Sequence, residues 1–216
     1  MSFARDPGTH AYYHRRAGEY DEWYESEGTF AARDRPGWDA ELERVIAFIA
    51  ALPAARTLDV ACGTGFLTRH LCGFVVGLDA SPAMAAIAQE RLPAGLAVVG
   101  DALALPFADD AFDRVLTGHF YGHLAGDERA RFLHEARRVA PELVVVDSAL
   151  HDGVAPEAWQ ERRLNDGSRH RVYKRYLTAG DLERELGAEV VHSGTWFVVG
   201  HVHGFETRRE PANPTG

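Results

Sequence analysis

The stretch LDVACGTGFLTRHL, residues 58–71, carries an apolar run straight into Gly63 and Gly65. Glycine at such a point lets the backbone turn sharply and approach a ligand with no Cβ in the way, and the free amides of a helix opening next favour an anionic group. A second apolar run, FVVGLDAS, ends in Asp79, whose carboxylate can accept hydrogen bonds from both hydroxyls of a ribose. Together these features imply a nucleoside ligand.

A second set of reactive side chains follows. His119, Tyr121 and His123 stand in TGHFYGHL, and His151 stands in DSALHDG. A general base or an orienting donor for a hydroxyl or amine comes from this set, with His119 as first choice and His123 beside it. Tyr121 and His151 are expected to touch the substrate. The segment ERRLNDGSRHRVYKRYL holds an Asn-Asp-Gly turn followed by alternation, which predicts a β-ribbon with Arg169, Arg171, Tyr173 and Arg175 on one face and His170, Val172, Lys174 and Tyr176 on the other. Arg169, Tyr173 and Lys174 are the candidates for holding a substrate carboxylate or phosphate. The histidines also raise the question of a metal, through His119, His123 and His151 or through His201 and His203 on one strand face. No carboxylate or cysteine spacing supports either group, and none is expected.

The elements that must position these residues alternate. TLDVA, FVVGLDA, LAVVG, FDRVLTG and ELVVVDSA read as short buried strands, separated by the helical runs FLTRHL, PAMAAIAQERL and ERARFLHEARRV. That order predicts an α/β fold with a doubly wound, mostly parallel sheet and helices on both faces. Residues 10–27 read as an aromatic helix, with Tyr13, Ala17, Tyr20 and Tyr24 at three- and four-residue steps, and WDAELERVIAFIAAL reads as a helix with Leu42, Val45, Ile46 and Ile49 on its apolar stripe. AEVVHS and TWFVVGHVH form a closing hairpin, and the last residues, from 204, lack any apolar period and read as a frayed tail.

In these motifs the chain resembles the class I, Rossmann-like S-adenosylmethionine-dependent methyltransferases. Their first motif, an acidic residue followed by glycines at alternate positions, corresponds to DVACGTGF from Asp59, with Phe66 read as standing at the last glycine. The resemblance covers about residues 56–149 and implies a seven-stranded mixed sheet with an antiparallel last strand. It implies that the glycine loop borders the methionine part of S-adenosylmethionine, that Asp79 holds the ribose and that Asp101, in GDALALPFADDAFDRVLTG, reaches the adenine amine. Asp59, Ala61, Gly63, Thr64, Gly65, Asp79, Ala80, Met84, Asp101, Ala102 and His119 are the donor-site residues so expected. Tyr20 joins them from a lid over residues 1–37, and residues 151–177 form the acceptor-side insert. A nicotinamide-dependent oxidoreductase shares the first glycines and the strand-two acid, but Thr68 stands where the third glycine of its fingerprint belongs.

Composition narrows the partners. One domain suffices for 216 residues, and a formal charge of −9 disfavours wholesale binding of nucleic acid. The expected acceptor is a small molecule, with an RNA or protein methyltransferase using the basic ribbon 162–175 as the alternative. No apolar stretch is long enough for a membrane span, and the N-terminus lacks the apolar core of a signal sequence. Two cysteines, Cys62 and Cys72, fit a reducing cytoplasm, and the protein is expected as a monomer or homodimer.

Overall fold

The computed structural model describes residues 5–92 and 94–204. Helix α1, Pro7–Arg16, begins at Asp6, whose carboxylate accepts the Thr9 amide while Pro7 fills the first turn, where no amide partner is needed. The helix expected over 10–27 is interrupted. Gly18, a poor helix former, sits in a single tight turn, Ala17–Glu19, and the short helix α2 spans only Glu22–Glu25 before Ser26 ends it in the left-handed region. Helix α3, Trp38–Ala51, matches its expected span, and buries Leu42, Val45 and Ile49.

The alternating segment then follows as β1 (Ala55–Val60), β2 (Gly73–Asp79), α4 (Pro82–Arg91), β3 (Leu96–Val99), β4 (Arg114–Gly118), α5 (Gly126–Val139) and β5 (Leu143–Ser148). The ribbon is β6 (Glu157–Arg163) and β7 (Arg169–Arg175), and the chain closes with α6 (Ala179–Leu186), β8 (Glu189–Ser193) and β9 (Phe197–Val202). The seven-stranded sheet has the order β3-β2-β1-β4-β5-β9-β8. Its first five strands pair in parallel, and β9 runs antiparallel to both β5 and β8. This is the mixed, doubly wound sheet expected from the sequence.

The register explains the apolar runs. Leu143 and Val145 of β5 face α5 and α6, meeting Phe132, Ala136, Val139 and Leu182. Val144 and Val146 face the opposite layer, with Val45, Ile49 and Phe197. A strand buried on both faces needs no polar positions, and each fully buried side chain of this kind contributes about 1.5–3 kcal/mol.

One expectation about the glycine loop fails. FLTRHL forms only a turn, Thr68–His70, not a crossover helix, because β2 begins at Gly73 and leaves no room for one. The loop therefore meets a ligand without a helix N-terminus behind it. The ribbon stands apart as its own two-stranded sheet, and α1 packs against β7, so the two segments expected to roof the pocket touch each other. The expected tail lies, beyond Gly204, outside the described residues. Among the described residues no helix is long and apolar enough to cross a membrane.

Candidate active site

A cavity of about 580 Å³ opens at the carboxyl ends of β1, β2, β3 and β4, where the strand order reverses between β1 and β4. Cavities at this switch point are the common ligand sites of open α/β sheets. Nine expected donor residues meet there: Tyr20, Ala61, Gly63, Asp79, Ala80, Met84, Asp101, Ala102 and His119. Asp79 closes the far end of β2. Its two oxygens accept the amides of Gly63 and Ser81, at 2.9 and 2.8 Å. Each carboxylate oxygen has two lone pairs, so both retain capacity for a ligand hydroxyl. Burial pushes the Asp79 carboxyl above the usual range, against the pull of those two amides.

Three expected donor residues do not reach this cavity. Asp59 is buried beneath the loop and accepts the Thr68 hydroxyl at 2.5 Å, with burial pushing its pKa up to about 7. Thr64 turns its hydroxyl to Asp21, and Gly65 packs on Ala88, where an added Cβ would meet backbone at 3.3 Å. The position that departs from the glycine pattern is also reassigned. Ala61 holds a left-handed φ of 58°, the conformation that favours glycine, whereas Phe66 is a core residue stacked on Tyr24 at 3.9 Å. Asp101 lies at the cavity wall, but Arg5 donates to it through both Nε and Nη2, at 2.9 and 2.6 Å.

A smaller cavity of about 100 Å³ adjoins the first, and Tyr13, Tyr20, His119 and His123 line both. Of the expected substrate residues, His151 and Lys174 reach it. Tyr121, Arg169 and Tyr173 do not. Tyr121 is buried with its hydroxyl donating to Glu185, Arg169 is exposed and paired with Glu161, and the Tyr173 hydroxyl donates to Glu157. The ribbon's inward face is therefore the one carrying Lys174. Its ammonium lies 2.5 Å from Asp147, and both groups are buried.

Arg162, the first residue of the basic ribbon 162–175, reaches this wall, and three arginines that the sequence did not single out join it: Arg16, Arg33 and Arg35. Among the described residues none of them has a carboxylate within ion-pair distance, and no carboxylate lines this cavity. Burial, then Arg33, lowers Arg35 to about 10, and burial, then Arg162, lowers Arg33. Asp39 opposes the shift at Arg35, but these cations crowd a cavity that has no carboxylate in its wall. Arginine supplies nearly every basic side chain of this sequence, and Arg16, Arg33 and Arg35 sit far from the ribbon in the chain, so no local pattern marked them. Trp23, Trp38, Ser148, Tyr176 and Trp196 complete the wall.

His119 sits at the junction in a left-handed conformation, φ 57°, its amide bonded to the Val146 carbonyl. Trp23, Tyr24 and Phe197 pack around its ring, at 4.6, 5.7 and 5.7 Å. Burial drives its pKa down to about 3, only partly opposed by Asp147, so the imidazole is neutral. Nδ1 faces the Ser148 hydroxyl at 3.4 Å, and Nε2 is buried with no hydrogen-bond partner among the described residues. His123 is also neutral, lowered by burial and then by Lys174 to about 3, but both its nitrogens are engaged, with the Tyr173 carbonyl and the Tyr13 hydroxyl. The metal grouping of His119, His123 and His151 does not form. Among the described residues only Glu142, His201 and His203 approach a ligand set, at the opposite edge of the sheet.

Known proteins match these features. Residues 58–142 match the family model of the methyltransferase domain. A demethylmenaquinone methyltransferase of Thermotoga maritima is 38% identical over 104 residues, covering 45% of this chain and 44% of its own. A malonyl-[acyl-carrier protein] O-methyltransferase of Erwinia pyrifoliae is 39% identical over 115 residues, covering 50% and 43%. The chain thus spans about half the length of the curated relatives it matches. Among solved structures, the DhpI-SAM-HEP complex aligns over 90% of this chain and 95% of its own, with TM-score 0.70 and 25% identity. With its sheet order, its switch-point cavity and the glycine loop and two aspartates at the cavity wall, the chain has the fold of the class I, Rossmann-like S-adenosylmethionine-dependent methyltransferases, and its residues 58–142 match a methyltransferase domain.

Proposed function

We propose that the protein methylates a small acceptor that carries a carboxylate or phosphate, with S-adenosylmethionine as donor. The observation that carries the anionic part is the second cavity, where Arg16, Arg33, Arg35 and Arg162 gather without any carboxylate. Their neutral hydrogen-bond acceptors and the rings beneath them leave the positive charges unneutralised in a partly dry pocket, and an oxyanion that accepts from their N–H groups offsets that cost. The relatives act on quite different acceptors, as their names state, so the substrate class rests on this wall.

The larger cavity fits the donor. Asp79 has free lone pairs for a ribose, Asp101 stands beyond it for an adenine amine, and the Gly63 backbone leaves a gap that an added Cβ would close against the Tyr20 ring at 3.3 Å. S-adenosylmethionine supplies an activated methyl group when bound. The chain's own part is to align the acceptor and exclude water, which sharply raises the effective concentration of the reacting atoms. Tyr20 and His119, shared by both cavities, stand where donor and acceptor sites meet. The neutral Nε2 of His119, without a partner, orients a hydroxyl or amine of the acceptor.

Within the expected inserts 1–37 and 151–177, α1 and β7 pack on each other and serve as the roof of these cavities. The free cysteines suit a reducing compartment such as the cytoplasm. A titration of S-adenosylhomocysteine-loaded protein with inorganic phosphate, followed by thermal melting, tests the anion site. Stabilisation that Arg35→Ala and Arg162→Ala each diminish supports the reading. An equal response to phosphate in all three proteins contradicts it.

A further inference from the structure

Tyr13 on α1 and His123 after β4 face both cavities. The Tyr13 hydroxyl lies 3.0 Å from Nε2 of His123, and Nδ1 of that ring meets the backbone carbonyl of Tyr173 on the ribbon. A carbonyl oxygen only accepts, so Nδ1 carries the proton. In a neutral ring Nε2 then accepts, and the Tyr13 hydroxyl must spend its single proton on it. The Tyr13 oxygen is left to meet the cavities as a hydrogen-bond acceptor alone. An acceptor molecule satisfies it by offering an O–H or N–H.

We propose that Tyr13 and His123 form the proton-accepting dyad of the methyl transfer, Tyr13 taking the proton from the acceptor's hydroxyl or amine and His123 storing it. This rests on the methyltransferase reading above. As the bond from the acceptor atom to the methyl carbon forms and the carbon–sulfur bond of the donor breaks, the acceptor's O–H or N–H bond breaks too. Its proton goes to the Tyr13 oxygen, and the proton of Tyr13 goes to Nε2 of His123. Tyr13 ends neutral and His123 ends as an imidazolium. One positive charge disappears from sulfur as one appears on the ring, so the site's net charge is unchanged and desolvation opposes the step less than it would an isolated protonation.

The surroundings suit a temporary proton store. Burial and Lys174 of the ribbon disfavour a charged His123, Arg162 adds to this, and Asp147 of β5 opposes them. Burial, with Tyr12 and Tyr20, keeps the Tyr13 hydroxyl protonated against Arg162 and Arg16. The ring therefore takes no proton from water at neutral pH before reaction and gives one up readily afterwards. His119, without a matching second partner, lacks this relay.

Two measurements on the full chain test the dyad. Histidine-selective ¹⁵N spectra, recorded without donor, should show His123 as one tautomer with its proton on Nδ1. Tyr13→Phe, or 3-fluorotyrosine at position 13 should that variant not fold, should move the Nε2 resonance of His123. In parallel, radiolabelled S-adenosylmethionine is offered to a panel of hydroxylated carboxylates and phosphate monoesters. For any that is methylated, Tyr13→Phe should lower kcat about 100-fold or more, abolish the solvent isotope effect and leave donor affinity within about threefold. A proton on Nε2 of His123, an Nε2 resonance indifferent to position 13, or full turnover in Tyr13→Phe overturns the dyad. Absence of any donor binding by the unaltered protein overturns the methyltransferase reading instead, and leaves the donor-free spectra to judge the dyad's proton arrangement.

Discussion

Lys174 of the ribbon and Asp147 of the main sheet form a buried ion pair at 2.5 Å, and the same carboxylate accepts the Gly122 amide at 2.8 Å. One residue of β5 thus fixes both the ribbon and the segment that carries His119 and His123. Burial pushes the Asp147 carboxyl upward, but Lys174, His119 and the hydrogen bonds pull it below the ordinary value.

Removing one partner strands the other as a buried charge. Lys174→Met should cost about 3–5 kcal/mol in urea unfolding, and Asp147→Asn added to it should recover a large part. A loss under about 1 kcal/mol for the single variant would show that the pair contributes little.

The buried neutral histidines set the pH dependence of folding. His119 and His123 titrate at about 3 when folded, against about 6.5 in the unfolded chain. Below pH 6.5 the unfolded state binds protons that the folded state refuses, so stability is full above that pH and falls as pH drops from 6.5 toward 3. Each ring contributes about 1 kcal/mol of loss per pH unit in that window. Unfolding free energies at pH 7 and pH 5 measure it, and replacing either histidine with Asn should flatten the slope.

Arg5 occupies the carboxylate assigned to the adenine amine. Their pair is half-exposed on both sides, so it is weak, and it competes with the ligand. Arg5→Ala should raise affinity for S-adenosylhomocysteine by a factor of up to about five, as read by calorimetry, whereas a clear loss would mean that Arg5 itself holds the ligand.

Ala61 sits at φ 58°, where a Cβ is strained. Ala61→Gly relieves about 1–2 kcal/mol of that strain and gives back part of it through the freer unfolded chain. A net gain of up to about 1 kcal/mol is expected in thermal or urea unfolding, and a loss of stability would contradict the strain.

Fold class was legible because its signals are local. The run LVVVDS is apolar on both faces, and the order of apolar runs and helical stripes leaves few topologies. Asp79, Asp101 and Gly63 were legible because strand ends place them at one edge of the sheet. The missing crossover helix was not, since FLTRHL has helical composition and only the proximity of β2 prevents it. The acceptor side was read least well. Lys174 and His151 reach the second cavity, but Tyr173 and Arg169 turn away from it on the ribbon's other face, and the alternation alone did not say which face turns inward. Arg16, Arg33, Arg35 and Arg162 meet only through tertiary folding.

The central claim is that the cavity walled by Gly63, Asp79 and Asp101 binds S-adenosylmethionine. Isothermal calorimetry with S-adenosylmethionine, S-adenosylhomocysteine and NAD, on the unaltered protein and on Asp79→Ala, tests it most directly. Micromolar binding of the first two, none of NAD, and a loss of about 10- to 100-fold in Asp79→Ala from the missing ribose hydrogen bonds is the predicted result. Binding of NAD alone, or donor affinity indifferent to Asp79, would contradict it.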